Sequence, residues 1–327
     1  MTNFSHILLD WYSENKRDLP WRNTTNPYDI WLSEIILQQT RVDQGMSYYL
    51  KFKAKYDTIK DLSEASEDEV LALWKGLGYY SRGRNLRKAA IQVMEEFDGV
   101  FPKDFKSLKK LKGVGDYSAA AIASFAYKEK IAVLDGNVYR VLSRLYNIDT
   151  AIDSSAGKKQ FWELANSLIS DKHPDTFNQA IMEFGALQCK PKKPNCEVCV
   201  FNDRCEALQE ETITQLPFKS KKIKKKNRYL NFFFNEQNDS VLLEKRGEKD
   251  IWANMYQFPL IEDTEVFEDR KEEILWETKH ILTHQNLFCR FYKSNHKEKN
   301  AEFVKLKDFD NYALPRVIEN FLERYFT

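Results

Sequence analysis

The chain has 327 residues, 43% of them hydrophobic and 14% aromatic, and a formal net charge of only +1 at pH 7. This length exceeds the usual size of one domain, so we expect two domains. With so small a net charge, the protein as a whole has no strong electrostatic attraction to nucleic acid, so any basic binding surface must be local. No run of 18 apolar residues occurs and residues 1–10 do not resemble a signal peptide. These features predict a soluble, intracellular protein that does not bind a membrane.

Helical patterns dominate the first two hundred residues. Asn26 is a predicted N-cap, because it precedes Pro27 at the first helical position and the acid Asp29 near the positive end of the helix dipole. The apolar spacing predicts one long helix from Pro27 to about Phe52. Further helices are predicted near residues 66–77, 83–97, 117–127, 138–146, 157–170 and 176–187.

The pattern changes after residue 220. Residues 229–235, 241–245 and 281–292 are rich in aromatic and branched apolar residues and are predicted strands, and residues 314–326 form a predicted amphipathic helix. Residues 219–228 contain seven basic residues and no acid, which marks a boundary between two regions. This basic segment fits either a solvated linker or a tether that tracks phosphates.

Four of the five cysteines lie close together, and the fifth is Cys289. The first 188 residues contain no cysteine, which disfavours a disulfide framework. Structural zinc usually presents two short Cys-x-x-Cys pairs, whereas this stretch has one; an iron–sulfur cubane takes four thiolates and tolerates unequal loops. The spacing favours a cluster and leaves zinc as the alternative. The four clustered residues are Cys189, Cys196, Cys199 and Cys205.

A glycine-rich turn lies within residues 111–119. A short helix ending at Gly113, a tight turn through Gly115 and a new helix beginning near Asp116 predict two helices joined by a hairpin. The N–H groups at the start of the second helix are suited to a DNA phosphate. A plain helix–helix turn has the same pattern, and that alternative stays open.

Two carboxylates stand out against this background. Glu34 lies in the apolar stretch 31–40, where burying a charge is costly unless the charge has a partner or a task. The alternative is that Glu34 faces solvent. Asp135 precedes residues 136–141 and is a predicted N-cap, a position that also aims a charge into a cleft when one is present.

Several of these motifs together resemble a known superfamily. Residues 112–118, residues 133–140 and the cysteine spacing are similar to those of helix-hairpin-helix DNA glycosylases that carry an iron–sulfur cluster. Within that superfamily, the resemblance is to the adenine DNA glycosylase (MutY) branch and covers nearly the whole chain. The motifs that carry this closer resemblance are residues 19–22, 33–42, 76–82 and 178–185.

The resemblance implies a multidomain architecture. Residues 1–218 are expected to form an all-α glycosylase domain, with the helix-hairpin-helix at about 105–127 and one 4Fe-4S cluster held in the loop 189–205. Residues 219–228 are the basic linker, and residues 229–327 are expected to form an α+β Nudix-like domain that recognises 8-oxoguanine. Residues 262–279 lack the glutamate-rich core of a hydrolytic Nudix box, so phosphohydrolase activity is not expected.

The resemblance also implies the reaction. A base excision repair enzyme of this family flips adenine mispaired with 8-oxoguanine or guanine out of double-stranded DNA, because the glycosidic bond cannot be reached inside a duplex, and hydrolyses that bond. Glu34 is the implied general acid, which protonates adenine N7. Asp135 is implied to stabilise the oxocarbenium-like sugar, and Asn137 to orient Asp135.

Further residues are implied to hold the DNA. Arg22 and Glu183 line the adenine pocket, and Gln39 enters the base stack. Leu37 and Tyr79 are expected to pack around the flipped base. The remaining expected DNA-binding residues are Thr40, Gly113, Gly115, Tyr117, Leu282, Thr283 and His284.

Two positions depart from the patterns of related enzymes. Tyr117 replaces the lysine with which the thymine-glycol endonuclease branch forms a Schiff base, so the chain is expected to be monofunctional and to leave an abasic site. The family has a Phe-Ser-His triplet where this chain has Leu282, Thr283 and His284. Thr283 keeps the hydroxyl of the serine, but Leu282 lacks the aromatic ring of the phenylalanine. The other classes considered are a non-catalytic iron–sulfur DNA-binding protein and a bifunctional lyase. The resemblance further implies a monomer in the bacterial cytoplasm, associated with the nucleoid when bound to DNA.

Overall fold

The computed structural model describes residues 4–221, 224–295 and 300–327. The chain divides into two compact units, Met1–Ser63 with Lys88–Lys222 and Glu64–Arg87 with Ile223–Thr327. Residues 222 and 223 of the predicted linker, residues 1–3 of the predicted glycosylase domain and residues 296–299 of the predicted Nudix-like domain lie outside the described ranges. Within those ranges, none of the helices combines the length and apolar character needed to span a bilayer.

Helices account for most of the first unit, and all the strands of the described residues lie in the second unit. The α-helices are α1 (Phe4–Asn15), α2 (Pro27–Leu37), α3 (Val42–Lys55), α4 (Ile59–Glu64), α5 (Glu67–Leu73), α6 (Ser81–Glu96), α7 (Phe105–Leu108), α8 (Asp116–Tyr127), α9 (Gly136–Leu145), α10 (Ser155–Leu168), α11 (Pro174–Leu187), α12 (Glu206–Gln209) and α13 (Arg316–Tyr325). Short 3-10 helices occur at Pro20–Arg22, Asn202–Arg204 and Leu306–Asn311. The strands are β1 (Lys226–Phe234), β2 (Glu236–Gln237), β3 (Ser240–Lys245), β4 (Tyr256–Gln257), β5 (Leu260–Asp263), β6 (Ile274–Ile281), β7 (Gln285–Lys293) and β8 (Ala301–Lys305).

The predicted helix from Pro27 to Phe52 is wrong as a single element. Its start is confirmed, because the Asn26 side chain accepts a hydrogen bond from the Tyr28 N–H at 2.9 Å. The chain leaves helical geometry after Leu37 and resumes it at Val42. A Cβ at Gly45 would lie 2.6 Å from a terminal methyl carbon of Leu37, so a larger residue at this position would require the Leu37 side chain to move. One apolar pattern therefore spans two helices.

The predicted helical hairpin is confirmed, but its short first helix ends at Leu108 and not at Gly113. The short helix α7 and the longer α8 are joined through Gly113, which has φ +76°. Glycine adopts this left-handed conformation without a steric penalty. The middle of α8, from Ser118 to Ser124, is buried, so the hairpin is anchored in the first unit by its second helix.

Two sheets form the second unit. The first has the strand order β5-β1-β7-β6, with β1 and β7 parallel and the outer strands antiparallel to them. In the second sheet, β3 pairs with β2, β4 and β8. The helix α13 contributes Phe321, which stacks on Phe291 with ring centroids 4.4 Å apart. The helical first unit and the α+β second unit confirm the multidomain fold class expected from the sequence.

The predicted strand 281–292 is wrong as a single element. Strand β6 ends at Ile281 and β7 begins at Gln285, so Leu282, Thr283 and His284 form the turn between two antiparallel strands. A run of branched and aromatic residues does not reveal a three-residue turn when the turn itself contains leucine and threonine. The correction places Thr283 at the tip of a hairpin.

Arg228 is not available to track phosphates. Its side chain is buried, and it forms ion pairs of 2.7 Å with Asp250 and 2.5 Å with Glu262. Strand β1 begins at Lys226, so the last three residues of the predicted basic linker belong to the sheet. The tether interpretation is wrong for Arg228.

Candidate active site

A cavity of about 190 Å³ in the first unit brings together many of the predicted site residues. Helices α2, α8, α9 and α11 contribute its walls. The hairpin glycines, Gln39, Tyr79 and the turn 282–284 are not among its described lining residues. The predicted residues that line it are Arg22, Glu34, Leu37, Thr40, Tyr117, Asp135, Asn137 and Glu183.

Glu34 is a buried carboxyl group on α2. Only 6% of the residue is exposed, although the solvent-facing alternative was open from the sequence. The pKa of Glu34 is raised to about 7, mainly by burial; hydrogen bonding with Tyr117 lowers it, and the nearby Asp135 charge raises it. At neutral pH a substantial fraction of Glu34 therefore carries a proton, as a general acid requires.

Asp135 caps helix α9 and faces the same cavity. One carboxylate oxygen accepts hydrogen bonds from the N–H groups of Asn137 and Val138, each at 2.8 Å. The other accepts from Asn137 Nδ2 at 2.6 Å. Burial raises the pKa of Asp135, but these donors favour its ionised form. The N-cap role predicted for Asp135 and a role in the cavity are thus compatible.

Arg140 supports Asn137 and was not identified from the sequence. Its guanidinium donates to Asn137 Oδ1, to the Gly185 carbonyl and to the Cys189 carbonyl, each at 2.7 Å. A Cβ at Gly185 would lie 2.6 Å from the Asn137 Cβ, so the close approach of α11 to α9 needs glycine. The sequence signal that could have identified Arg140 is its position three residues after Asn137 on α9, because residues at this spacing lie on the same helix face.

Two arginines hold Glu183 in the cavity wall. Arg17 donates to both carboxylate oxygens, at 2.8 and 2.6 Å, and Arg22 also donates to both, at 3.0 and 2.8 Å. Burial alone would raise the pKa of Glu183, yet the hydrogen bonds from Arg17 and Arg22 hold it at about 2. Glu183 is therefore a fixed anion. Arg17 was missed from the sequence, since a lone arginine after an N-terminal helix gives no signal.

Gln39 and Tyr79 share an unusual backbone conformation. Gln39 is exposed just after α2 and has φ +55°, and Tyr79 is 47% exposed with φ +48°. Left-handed φ values are uncommon for residues other than glycine and asparagine, and they occur often at functional sites. Tyr79 belongs to the second unit, where its hydroxyl lies 2.5 Å from Thr283 Oγ1.

The hairpin offers a second polar surface. Gly115 is the N-cap of α8, and a Cβ at this residue would meet no atom within 4 Å, so the approach to this helix end is open. The first N–H groups of a helix have no acceptor within the helix. Lys109 pairs with Asp116 beside this end. The geometry suits an anion in front of α8.

The four thiols of the cysteine loop line one small cavity whose other walls are mainly apolar. Burial raises the pKa of Cys199 to about 11, and the charges of the three other cysteines act in the same direction. A bound cation is therefore needed for the four thiols to ionise together. Among the described side chains, no three His, Cys, Asp or Glu residues are placed to hold a single metal ion. An iron–sulfur cubane is held by four thiolates, and the four thiols around this cavity are the ligand set that it requires.

Arg144 braces the cysteine loop from α9. It donates to the carbonyls of Lys190 at 2.8 Å, Pro191 at 3.1 Å and Leu216 at 3.2 Å, and one nitrogen lies 3.5 Å from Cys189 Sγ. The residue was not identified from the sequence. Its buried guanidinium donates to several backbone oxygens of the loop, as buried polar groups require.

Comparison with protein-family models gives three matches. Residues 32–167 match the HhH-GPD superfamily base excision DNA repair protein, residues 189–205 match the iron–sulfur binding domain of endonuclease III, and residues 232–324 match the NUDIX domain. Adenine DNA glycosylase of Buchnera aphidicola from Acyrthosiphon pisum is 31% identical, with 98% of this chain and 97% of the relative covered. The chain belongs to the adenine DNA glycosylase family.

Further comparisons agree with this membership. The human adenine DNA glycosylase is 43% identical over 66% of this chain and 41% of the relative. A solved structure of a thermostable thymine-DNA glycosylase matches 63% of this chain and 95% of that chain, with a TM-score of 0.59 and 31% identity. The protein is therefore a DNA N-glycosylase of base excision repair that removes adenine, and its cysteine loop matches an iron–sulfur binding domain, which favours a cluster over the zinc alternative.

Proposed function

We propose that this glycosylase hydrolyses the bond between adenine and deoxyribose when adenine lies opposite 8-oxoguanine or guanine, and that it leaves an abasic site without cutting the strand. The observation that carries the proposal is the buried carboxyl of Glu34, whose pKa of about 7 makes it an acid at neutral pH, in one cavity with Asp135. Enzymes that cleave glycosidic bonds usually use two carboxyl groups as catalytic residues, in environments that give them different pKa values.

The environments of the two carboxyls assign their roles. Glu34 is protonated more readily, because burial acts on it with few opposing contacts, and its O–H is the donor to adenine N7. Asp135 receives three N–H donors and is the better anion. Protonation of N7 weakens the C1′–N9 bond, the electron pair of that bond leaves with the base, and the Asp135 carboxylate stabilises the positive sugar until water adds to C1′.

The fixed anion Glu183 supports the choice of adenine. Its carboxylate is held by Arg17 and Arg22 at the wall of the same cavity, so its position and charge do not depend on the ligand. A carboxylate accepts from an exocyclic amino group, and a guanidinium donates to ring nitrogens. Adenine presents both kinds of group on one edge.

Tyr117 supports a monofunctional reaction. It lines the cavity, and hydrogen bonding links it to Glu34. Forming a Schiff base with the sugar requires an amine, which a phenol does not supply. Borohydride added during turnover should therefore trap no covalent complex with the wild-type protein, and efficient trapping would overturn the monofunctional assignment. The variant Tyr117→Lys is the positive control, because it places an amine in the cavity.

We assign one 4Fe-4S cluster to Cys189, Cys196, Cys199 and Cys205, on the basis of four thiols around one cavity. When bound, the cluster supplies structure to the loop and takes no part in bond cleavage. The loop carries basic residues that are suited to DNA phosphates. These residues are Lys190, Lys192, Lys193 and Arg204.

The second unit is proposed to read 8-oxoguanine. Thr283 is exposed at the tip of the β6–β7 turn, where its hydroxyl is accessible to a base. The backbone of this turn is fixed, because Leu282 N–H donates to the Gln285 carbonyl at 2.9 Å and Lys226 N–H donates to the His284 carbonyl at 3.0 Å. Leu282 packs against the core of the sheets and thereby supports the turn. It has no aromatic ring with which to contact DNA at the position where the family has phenylalanine.

One assay tests the proposal against the alternatives. Duplexes with adenine opposite 8-oxoguanine or guanine are incubated with the protein, and strand breaks are counted with and without alkali. Breaks that need alkali support a monofunctional glycosylase, breaks without alkali show a lyase, and no breaks in either case show a non-catalytic DNA-binding protein. Equal excision rates opposite 8-oxoguanine and opposite guanine would contradict the proposed recognition of 8-oxoguanine. The monomeric state and the bacterial, nucleoid-associated location stay predictions, which sedimentation and imaging can check.

A further inference from the structure

We propose that Gln38 and Ser118 are positioning residues for base flipping, whose hydrogen bond fixes the turn that carries Gln39. The inference rests on the proposed excision of adenine from a duplex and deepens it. Gln38 Nε2 donates to Ser118 Oγ at 3.0 Å, although the two residues are 80 positions apart in the chain. The bond joins the C-terminal end of α2 to α8, and both helices belong to the first unit.

The α2 turn, residues 37–40, follows α2 and borders the catalytic cavity. Leu37 and Thr40 line the cavity, whereas Gln39 between them is exposed and is not among the described lining residues. The Thr40 N–H donates to the Leu37 carbonyl at 3.1 Å, which closes the turn. Gln39 has φ +55°, a left-handed value that persists in a residue other than glycine only where surrounding contacts determine it.

The position of Gln39 suits a side chain that fills the gap left by a flipped base. Adenine must leave the base stack for its N7 to reach Glu34, which is buried in the cavity wall. The gap that remains loses dispersion contacts with the neighbouring base pairs unless a side chain occupies it. Gln39 is exposed at the border of the cavity that receives the base, so the α2 turn presents this residue to the gap.

The bond to Ser118 holds the α2 turn at the residue where the chain leaves the helix. Gln38 is the C-cap of α2 and has ψ 114°, so its backbone turns away from the helix. Ser118 is 2% exposed and Gln38 is half-buried, so water competes little for their hydrogen bond. Loss of the bond lets the turn rotate about Gln38, and the side chain of Gln39 then loses its fixed direction.

Ser118 is itself held firmly. It begins the buried stretch of α8, and the preceding residue, Tyr117, lines the cavity. A displacement of Ser118 would disturb the core of the first unit, which resists small shifts because it is close-packed. The α2 turn is therefore tied to the helix that also forms a cavity wall, and Gln39 keeps a fixed position relative to the site that receives adenine.

Two variants remove the hydrogen bond and keep most of the side-chain shape. Ser118→Ala removes the acceptor, and Gln38→Met removes the donor while keeping the length of the side chain. The flipped fraction is measured with 2-aminopurine in place of the target adenine opposite guanine, because the fluorescence of this base increases when it leaves the stack. It is measured in complexes saturated with protein, and the single-turnover excision rate is measured on the matching adenine duplex. Loss of one neutral hydrogen bond should lower both quantities by the same factor, about twofold to tenfold.

Two further variants identify the step that is affected. Glu34→Gln should lower the excision rate and keep the flipped fraction, because it removes the acid and leaves the α2 turn intact. Gln39→Ala should lower the flipped fraction, because it removes the side chain that fills the gap. If the pair acts through Gln39, adding Ser118→Ala to Gln39→Ala should lower the flipped fraction no further.

Ser124→Ala is the matched control on the same helix. Ser124 is buried and accepts a hydrogen bond from Asn178 Nδ2 at 2.8 Å, so its substitution removes a contact of the same kind that does not involve the α2 turn. This variant should keep the flipped fraction of the wild type. An equal fall in both serine variants would show a general loosening of α8 and would overturn the role of the Gln38–Ser118 bond.

The outcomes separate this inference from the proposed function. A wild-type protein that excises no adenine from the duplex overturns the proposed function. A wild-type protein that excises adenine while Ser118→Ala and Gln38→Met keep its flipped fraction overturns only the role of the pair. A loss caused by Ser118→Ala that persists in the Gln39→Ala background would likewise overturn positioning through Gln39. Iron content and thermal unfolding of each variant confirm that the compared proteins are folded and loaded.

Discussion

The catalytic cavity and the β6–β7 turn place their functional groups in opposite surroundings. Glu34 is buried in the wall of the cavity, and this burial raises its pKa to about 7. Thr283 is exposed at the tip of a turn and belongs to a pair of neutral hydroxyls. The role proposed for Glu34, donating a proton, is favoured by a low dielectric, whereas the role proposed for Thr283, reading a base in a duplex, requires an exposed group with a fixed direction.

The supporting contacts differ in the same way. In the cavity, charged partners such as the two arginines at Glu183 fix both position and ionisation. At the turn, backbone hydrogen bonds and the packing of Leu282 fix position alone. Substitutions in the cavity should therefore change the rate of excision on every substrate. Substitutions at the turn should change the ratio between substrates.

Glu34→Gln should have the largest effect. A positioned general acid contributes a factor of about 10²–10⁴ in rate, so single-turnover excision should fall by that factor on both duplexes while duplex binding is retained. The wild-type rate should also fall above pH 7, as Glu34 loses its proton, and the variant should lack this dependence. Glu14→Gln on the exposed face of α1 is the control. If Glu34→Gln excises adenine near the wild-type rate, Glu34 is not the general acid.

The same substitution should stabilise the protein at high pH. Because the pKa of Glu34 is raised from 4.5 to about 7 by folding, the native state binds the proton more tightly than the unfolded state, and stability falls as pH rises through this window. The full penalty above pH 7 is about 3 kcal/mol. Melting temperatures of wild type and Glu34→Gln should be similar at pH 4.5 and higher for the variant at pH 8. A variant that is less stable than wild type at pH 8 would contradict a buried, strained carboxyl.

Cys199→Ser tests the metal loop. Loss of one of four thiolates should lower the iron content and weaken duplex binding, because the basic loop loses its shape. Cys289→Ala is the matched control, since Cys289 is buried in the second unit and should not affect iron. Iron and sulfide analysis with a binding titration gives the readout. Stoichiometric zinc in place of iron in the wild-type protein would contradict the cluster.

Arg17→Met tests the clamp at Glu183. One of two charge-assisted partners is removed, which at about 1.5–3 kcal/mol for such bonds corresponds to a loss of at least tenfold in excision rate. Arg22 remains and keeps Glu183 partly paired, so the effect should be smaller than that of Glu34→Gln. Arg41→Met, at an exposed position, is the control. If the rate is unchanged, Arg22 alone suffices to hold the anion.

Leu282→Phe should have the smallest effect. Leu282 is partly buried against the sheet core, and the added ring atoms can extend toward solvent, so stability and the ratio of rates should change by about twofold or less. A large gain in discrimination would show that a ring at this position contacts DNA, and the packing role assigned to Leu282 would then be wrong.

Much of the helical region could be predicted because each element depends on local signals. Asn26 and Pro27 marked the start of α2, Gly113 marked the hairpin, and the cysteine spacing indicated a cluster before any fold was known. The break between α2 and α3 could not be predicted in this way. Helical apolar spacing continues on both sides of residues 38–41, and such a pattern does not show that the chain turns between two helices.

The sequence by itself determined the chemical equipment: two carboxyls in motifs of the adenine DNA glycosylase family, four thiols at a defined spacing, and a tyrosine where a lysine would make a lyase. Only the tertiary structure decided how these groups behave. Burial sets the pKa of Glu34, the α9 N-terminus holds Asp135, and Arg17 reaches Glu183 from 166 residues away. The same is true of Tyr79 and Thr283, whose hydroxyls meet only in the folded second unit. Desolvation and long-range hydrogen bonds depend on neighbours in space, and no local pattern in the chain records them.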